Sequence, residues 1–398
     1  MSRVRSATGL WASATRAHAQ IGAAAVPGSR LGTQASDSVA ELSRGYATDL
    51  TSFKNKALKA GPGGRSSVSG LRAVIFGSTG FLGRYVVNKL AQSGTQCVLP
   101  VRCEHWDTQH LMQMGDIGQT VIIPDISPRN KDQVLEMCDG ANLVINLLGI
   151  HQETWNFGFR EVHVDFARTV AEAAAETSTV ERMLHLSSLG ASPRAPSERL
   201  KTKWDGELAV KTAYPGATIF RPAPMTGSED KLFNNYAFQA KRLPVFPLIN
   251  GGKNKMQPVF VVDVADAMYQ SLTDSSHVGQ TYTLCGPKVY TVKELAEFTF
   301  NTIREEAFSV SVPPFVAEAM AMPRDFINKR IPPLMFNFMA SADHAKESVI
   351  DFVMPEGEPG LDALGVKPTK VDEGLAIEYL RFYRSGGYDL GTVAGGQS

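Results

Sequence analysis

From Arg72 onward one pattern repeats: a short unbroken apolar run, a turn, then a longer stretch in which apolar positions recur every three to four residues. Unbroken runs of that length read as strands buried on both faces, and the helical period as amphipathic helices laid over them. "RAVIFGSTGFLGRYVVNKLAQSG" is the first unit, a strand, a glycine turn and a helix closed by Ser-Gly. "TQCVLPVR" and "TVIIPDIS" supply the next strands, with a stretch between them that can hold a helix. "KDQVLEMCDG" reads as helix, "ANLVINLLG" as strand, "REVHVDFARTVAEAAAETS" as a long helix and "RMLHLSSLG" as strand. "TKWDGELAVKTAY" and "ATIFRPAPMTG" add one more helix and strand. Such alternation specifies the α/β class, a doubly wound parallel sheet of Rossmann type.

Beyond Gly227 the alternation weakens, although "QPVFVVDVADAMYQSL" and "TYTLCGPKVYTVKELAEFTF" still give strand–helix units. From Phe308 the chain turns Pro- and Met-rich, which predicts short amphipathic helices broken at Pro313, Pro323 and Pro332–Pro333. We expect a Rossmann domain over 71–227 and a smaller C-terminal α/β subdomain over 228–398, partly interleaved with the Rossmann core. The Met, Phe and Ile clusters of Phe308–Phe352 are the candidate docking segment.

The first segment is a different material. Met1 to Ser36 contains no Asp or Glu, while Arg3, Arg5, Arg16 and Arg30 are spread through Ala, Ser, Thr and Gly. That composition forms a basic amphipathic helix but buries no core, which describes an organellar presequence. Arg44-Gly45-Tyr46 before Ala47 resembles the arginine-led site of the mitochondrial matrix peptidase, so 1–46 is expected to be a mitochondrial presequence and 47–70 a Gly-rich linker. A chloroplast transit peptide shares the Ser-rich, acid-poor composition.

Forty basic and forty acidic residues cancel, and with no basic–aromatic stripe this argues against a nucleic-acid partner. No apolar run is long enough to cross a bilayer. The four cysteines form no C-x-x-C pair and fit reduced thiols in a reducing compartment. His151, Glu153 and His163 fit no metal-ligand spacing and read as loop and surface residues, and Asp343 to Glu347 as a solvated helix face, leaving no metal site.

"GSTGFLG" places Gly77, Gly80 and Gly83 between the first strand and its helix, the context a dinucleotide fingerprint requires. Gly77 permits the tight turn, Gly80 lets the backbone approach a pyrophosphate, and Gly83 allows close packing. Thr79, Phe81 and Leu82 are expected to lend backbone N–H groups. The second strand ends in Arg102, where NAD-binding chains usually carry an acid for the ribose 2′-OH. A guanidinium cannot accept that hydrogen bond but pairs well with a 2′-phosphate, which predicts NADPH (NADP) as cofactor, with Arg84 assisting. The competing view of Arg102 is a solvated strand-end charge. Asp125 is placed for the adenine amino group, and Leu147, Leu148 and Gly149 for the ribose and nicotinamide edge.

The glycine turn, Arg102, Asp125, "NLLG", "HLSSLGA" and "KTKWDGELAV" together resemble the atypical, extended short-chain dehydrogenase/reductase superfamily. Within it, "FGSTGFLGRYVVNKL" and "FRPAPMTGSEDKLFNN" are most similar to the nucleotide-binding accessory subunits of mitochondrial respiratory complex I, NADH:ubiquinone oxidoreductase. The resemblance runs from about Arg72 into the C-terminal region. It implies tightly held NADPH, a peripheral place on the matrix side of the inner membrane, other matrix-arm subunits as partners, and no established turnover. Active members of the superfamily carry Tyr-x-x-x-Lys on a helix, with a Ser or Thr after the preceding strand. Here Lys203 and Ser187 (or Ser188) are kept, but Arg199 stands four residues before Lys203. A guanidinium cannot cycle a proton near neutrality, so we expect a binding module with its acid/base step gone and Lys203 kept as a ribose ligand. A soluble NADP(H)-dependent reductase or epimerase, and an organellar RNA-binding protein on the same fold, are the alternatives.

Overall fold

In the computed structural model, residues 69–330, 341–371 and 375–384 are described. The expected presequence, all but the end of the linker, and the Pro332–Pro333 pair lie outside them. Six apolar runs become strands: β1 (Arg72–Phe76), β2 (Gln96–Pro100), β3 (Thr120–Ile123), β4 (Leu143–Asn146), β5 (Arg182–Leu186) and β6 (Thr218–Pro222). Helices α1 (Phe81–Gln92), α2 (His105–Met112), α3 (Lys131–Cys138), α4 (Phe166–Glu176) and α5 (Glu198–Ala213) connect them in turn. β1, β2 and β4 are buried at every position, because helices cover both faces and no polar alternation is tolerated there.

A seventh strand, β7 (Thr281–Leu284), pairs with β6 and comes from beyond Gly227. The order is β7-β6-β5-β4-β1-β2-β3, and every pairing is parallel. The chain therefore winds outward from β1 to β3 and then crosses back to lay β4 beside β1. In such sheets the crevice at the carboxyl ends of the two strands flanking this reversal is where ligands bind.

The later chain adds α6 (Phe233–Arg242), α7 (Val261–Gln270), α8 (Val292–Ile303), α9 (Pro314–Arg330), α10 (Ala342–Glu347) and α11 (Leu375–Leu380). α7 packs on α1, closing Val86 and Leu90 against Ala265 and Met268 in the main core. α8 begins with a reciprocal cap, Thr291 accepting from the Glu294 N–H while the Glu294 carboxylate takes the Thr291 N–H. Two expectations are corrected. Pro323 does not break a helix: α9 runs through it for 17 residues. The proline is exposed, and Glu318 before it and Arg324 and Asp325 after it are held by contacts outside the helix, which offset the lost backbone bond. The long helix expected from Arg160 opens instead with a π-turn, Glu161–Asp165, before α4. That wide turn carries His163 inward.

Candidate dinucleotide site

The turn after β1 is built by exclusion of side chains. Gly77 has φ +85°, and a Cβ there would stand 3.0 Å from the Leu147 carbonyl carbon and 3.2 Å from the Leu148 nitrogen. The turn is thus pressed against the end of β4, where the Leu147 N–H donates to the Phe76 carbonyl. A Cβ on Gly83 would lie 2.4 Å from the Gly77 oxygen and 2.6 Å from the Ser78 oxygen, so α1 lies directly on the turn. Gly80 is the N-cap of α1, and the first backbone bond from within the helix to the cap is Arg84 N–H to Gly80 O. The N–H groups of Phe81, Leu82 and Gly83 consequently have no intrahelical acceptor and form the positive end of the helix. Thr79 is half-buried beside them, while the Leu82 side chain points into the core and the Phe81 ring packs near Gly227.

Arg102 is exposed at the end of β2, its guanidinium 4.4 Å from the centre of the Phe157 ring. Arg129 stacks on the same ring at 4.7 Å and is fixed by Glu161 at 2.5 Å and the Asn156 carbonyl at 2.6 Å. Neither Arg129 nor Phe157 was selected from sequence, since both reach Arg102 from loops distant in the chain. Asp125, exposed and left-handed at φ +60°, is adjacent to Ile126, whose N–H bonds the Val101 carbonyl. Arg84 is engaged elsewhere: Nη1 meets Glu229 at 3.2 Å, and the neighbouring Tyr85 hydroxyl donates to the other oxygen of that carboxylate.

On the far side of the crevice Lys203, 6% exposed, is aimed from α5 at the end of β4. Its Nζ donates to the carbonyls of Leu186 (3.1 Å) and Leu148 (3.3 Å) and would stand 3.1 Å from a Cβ on Gly149. Gly206 on the same helix would put a Cβ 2.1 Å from the His163 carbonyl, so this glycine lets α5 press onto the π-turn. Burial, then the nearby Arg199 cation, push the Lys203 ammonium down to about 7 against the pull of Glu207. The unfolded lysine stays charged to roughly pH 10. Between about pH 7 and 10 the unfolded chain therefore binds the extra proton, and stability gains with rising pH; below about 7 the penalty is fully present. Lys203→Met should flatten that slope and raise stability at neutral pH, read as thermal midpoints of nucleotide-free protein at pH 6.5 and 9. An unaltered slope would mean the ammonium is hydrated.

At the ends of β1, β4 and β5 lies a layer of buried polar groups. Ser187 Oγ, Asn146 Nδ2, Ser78 Oγ and both ring nitrogens of His185 have no hydrogen-bond partner. Burial and Lys203 push His185 down to about 3, so it is neutral. Together with the side-chain-free glycine cradle and the open helix end, these unpaired polar atoms at the ends of β1, β4 and β5 fit a dinucleotide. His163 corrects the expectation of a surface residue. It is 2% exposed, and its Nε2 accepts the Ile150 N–H while Nδ1 faces the Thr202 hydroxyl at 2.9 Å. Burial first, then Lys203, hold it well below its ordinary pKa, so the ring is neutral and donates from Nδ1.

Arg199 occupies the position where the active pattern has its phenol, and its head group is committed. Nε and Nη2 grip Glu347 at 2.7 and 2.9 Å, and both side chains are largely shielded. Asp343 takes the N–H groups of Glu198 (2.8 Å) and Arg199 (3.1 Å), and the Ser197 hydroxyl lies between the two carboxylates. The segment from Asp343 to Glu347, expected as a solvated face, is instead docked on α5 through its two acids. Tyr236 is set edge-on against Phe246, and burial raises it above its ordinary value.

Residues 73–285 match the NAD dependent epimerase/dehydratase family. A protein of Arabidopsis thaliana called NADH dehydrogenase (ubiquinone) 1 alpha subcomplex subunit 9, mitochondrial, is 41% identical over 84% of this chain and 83% of its own length. The mouse (Mus musculus) protein of the same name is 39% identical over 82% and 84% of the two chains. The NADH-ubiquinone oxidoreductase 40 kDa subunit of Neurospora crassa is 37% identical over 82% and 83%. Among solved structures, an NADPH-dependent quinone oxidoreductase of Escherichia coli complexed with NADPH superposes with TM-score 0.59 at 17% identity, covering 78% of this chain and all of that one. That likeness establishes the shared fold. The chain belongs to the NAD dependent epimerase/dehydratase family, and within it to the group formed by these mitochondrial NADH dehydrogenase alpha-subcomplex subunits.

Proposed function

We propose that this chain is a nucleotide-binding accessory subunit of mitochondrial NADH:ubiquinone oxidoreductase, peripheral on the matrix side, which holds NADPH and turns over no substrate. Membership of the subunit-9 group carries the assignment to the complex. Among the described residues no helix is long and apolar enough to cross a membrane, which fits a peripheral place. The glycine turn, the open N-terminus of α1, Leu147–Gly149, Ser187 and Lys203 are the residues that would hold the dinucleotide. We assign the presequence to 1–46, the linker to 47–70, the Rossmann domain to 71–227 and the docking subdomain to 228–398.

Absence of turnover rests on Arg199. A guanidinium bound bidentately to Glu347 has no acceptor and keeps its charge near neutrality, so it cannot cycle a proton at a carbonyl as a phenol does. NADPH rests on Arg102, to which Arg129 adds a second cation over the same ring. Arg102→Glu should weaken NADPH binding about 100-fold, or about 3 kcal/mol, through a lost charge-assisted contact and a new repulsion. NADH affinity should move less than about threefold, because NADH carries no 2′-phosphate. Titration of both nucleotides into wild type and variant reads this directly, and equal losses for both would remove Arg102 from the selectivity role. The assignment as a whole is tested by purifying the mature chain with its native partners and identifying the retained nucleotide by mass spectrometry. Isolation as a free monomer, or hydride transfer to a carbonyl panel that Lys203→Ala abolishes, would sink it in favour of a soluble reductase.

A further inference from the structure

Helices α9 and α10 are tied to both banks of the crevice. α9 and α10 hold each other through Lys346–Glu318 at 3.3 Å and the Ala342 N–H to Asp325 at 2.8 Å. One bank is the segment after β4: Arg324 Nη2 meets the Gln152 side-chain oxygen at 2.5 Å, and Lys329 pairs with Glu153. The other bank is the first turn of α5, held by Asp343 and Glu347 through Glu198 and Arg199. Arg324 and Glu347 are both buried, so the Arg324–Gln152 and Arg199–Glu347 contacts are largely shielded from water and geometrically demanding.

The banks meet at Lys203, whose ammonium lies beneath Gly149. Gly149 precedes Gln152 by three residues, and Arg199 precedes Lys203 by one helical turn. Any ligand that fixes the spacing between Gly149 and Lys203 therefore fixes the spacing of the anchors that α9 and α10 hold. By the same linkage, anchors held by α9 and α10 favour the spacing that grips the ligand.

We propose that α9 and α10 form an intramolecular clasp that ties the segment after β4 to the first turn of α5, and that the engaged clasp retains the dinucleotide. This inference rests on the reading of the crevice as a dinucleotide site. The clasp makes Arg199 a positioning residue: its bond to Glu347 acts on the nucleotide through α5 and Lys203.

The test is the rate at which NADPH leaves the full chain, followed by nucleotide fluorescence after dilution into NADP-free buffer. Asp343→Asn with Glu347→Gln keeps the shapes and removes the charges; Arg324→Gln cuts the opposite tie. Each should speed release about tenfold or more, with circular dichroism unchanged. The reciprocal readout is hydrogen exchange. Removing NADPH from wild type should speed exchange in α9 and α10 while leaving α2 unaltered, which a merely structural contact would not produce. NADPH retained in both variants with release within about twofold of wild type overturns the clasp and leaves the nucleotide reading standing. A wild-type chain that takes up no NADPH overturns that reading, and the clasp with it.

Discussion

Glu207→Ala is expected to cost about 3–5 kcal/mol of unfolding free energy, the size of effect seen when one member of a buried ion pair is removed. Glu207, its side chain 3% exposed, takes Arg221 Nε at 3.0 Å and Nη2 at 2.7 Å. Arg221 stands on β6 with its guanidinium 5.4 Å from the Trp204 ring centre, and Glu358 approaches its remaining nitrogen only to 3.7 Å. Deleting the glutamate leaves a cation largely cut off from water with one distant counter-charge. The direct bond to Glu207 raises Arg221 above its ordinary value in the intact chain, and once that bond is deleted the intrinsic basicity of a guanidinium still prevents escape by loss of its proton. Urea unfolding of the nucleotide-free chain checks this, with an unchanged denaturant slope showing that stability itself moved. Replacing both partners by Met should recover most of the loss, because the penalty belongs to the orphaned charge more than to the missing pair. A loss under about 1 kcal/mol would mean that water reaches Arg221 as it reaches a surface pair.

The same helix marks where the sequence could and could not be read. Lys203 and the missing phenol are a local spacing on α5, and the glycine turn is a local spacing between β1 and α1, so both stand out in the linear chain. Arg102 stands out because it ends a strand whose place in the order is fixed by apolar runs alone. The partner of Arg199 could not be found this way, since Glu347 is 148 residues distant and sits in a short run of mixed charge. Mixed charge at helical spacing describes a solvated face equally well, and only the tertiary contact decides. His163 was hidden for a related reason. Its inward direction depends on the π-turn, and the π-turn lies against α5 only because Gly206 has no side chain. Pro323 misled because its local effect is real, but the anchors of α9 lie on other segments.

The second large effect concerns the three fingerprint glycines, which the geometry separates. Gly83→Ala should lower NADPH affinity about 100-fold or more and also destabilise the chain. Its Cβ would stand 2.4 and 2.6 Å from two backbone oxygens, and backbone in a tight turn cannot yield as a flexible side chain would. α1 must then withdraw from the turn, and the N–H groups of Phe81 and Leu82 withdraw with it. Gly77→Ala should act in the same direction. It adds left-handed strain of about 1–2 kcal/mol to a contact with the Leu147 carbonyl carbon that is already tight at 3.0 Å. Gly80→Ala is different in kind. Its backbone, at φ −71° and ψ 170°, suits any residue, and its Cβ meets only the Gly77 oxygen at 3.2 Å. The folded chain should tolerate that methyl within about 1 kcal/mol, whereas a phosphate seated on the open helix end should not, because the methyl stands at the mouth of the cradle. Thermal midpoints and NADPH titrations on the three variants therefore form a pattern: Gly83 and Gly77 lose both properties, and Gly80 loses binding alone. If Gly80→Ala kept full NADPH affinity, the pyrophosphate would have to lie away from this turn, and the glycines would serve only to pack α1 on the sheet.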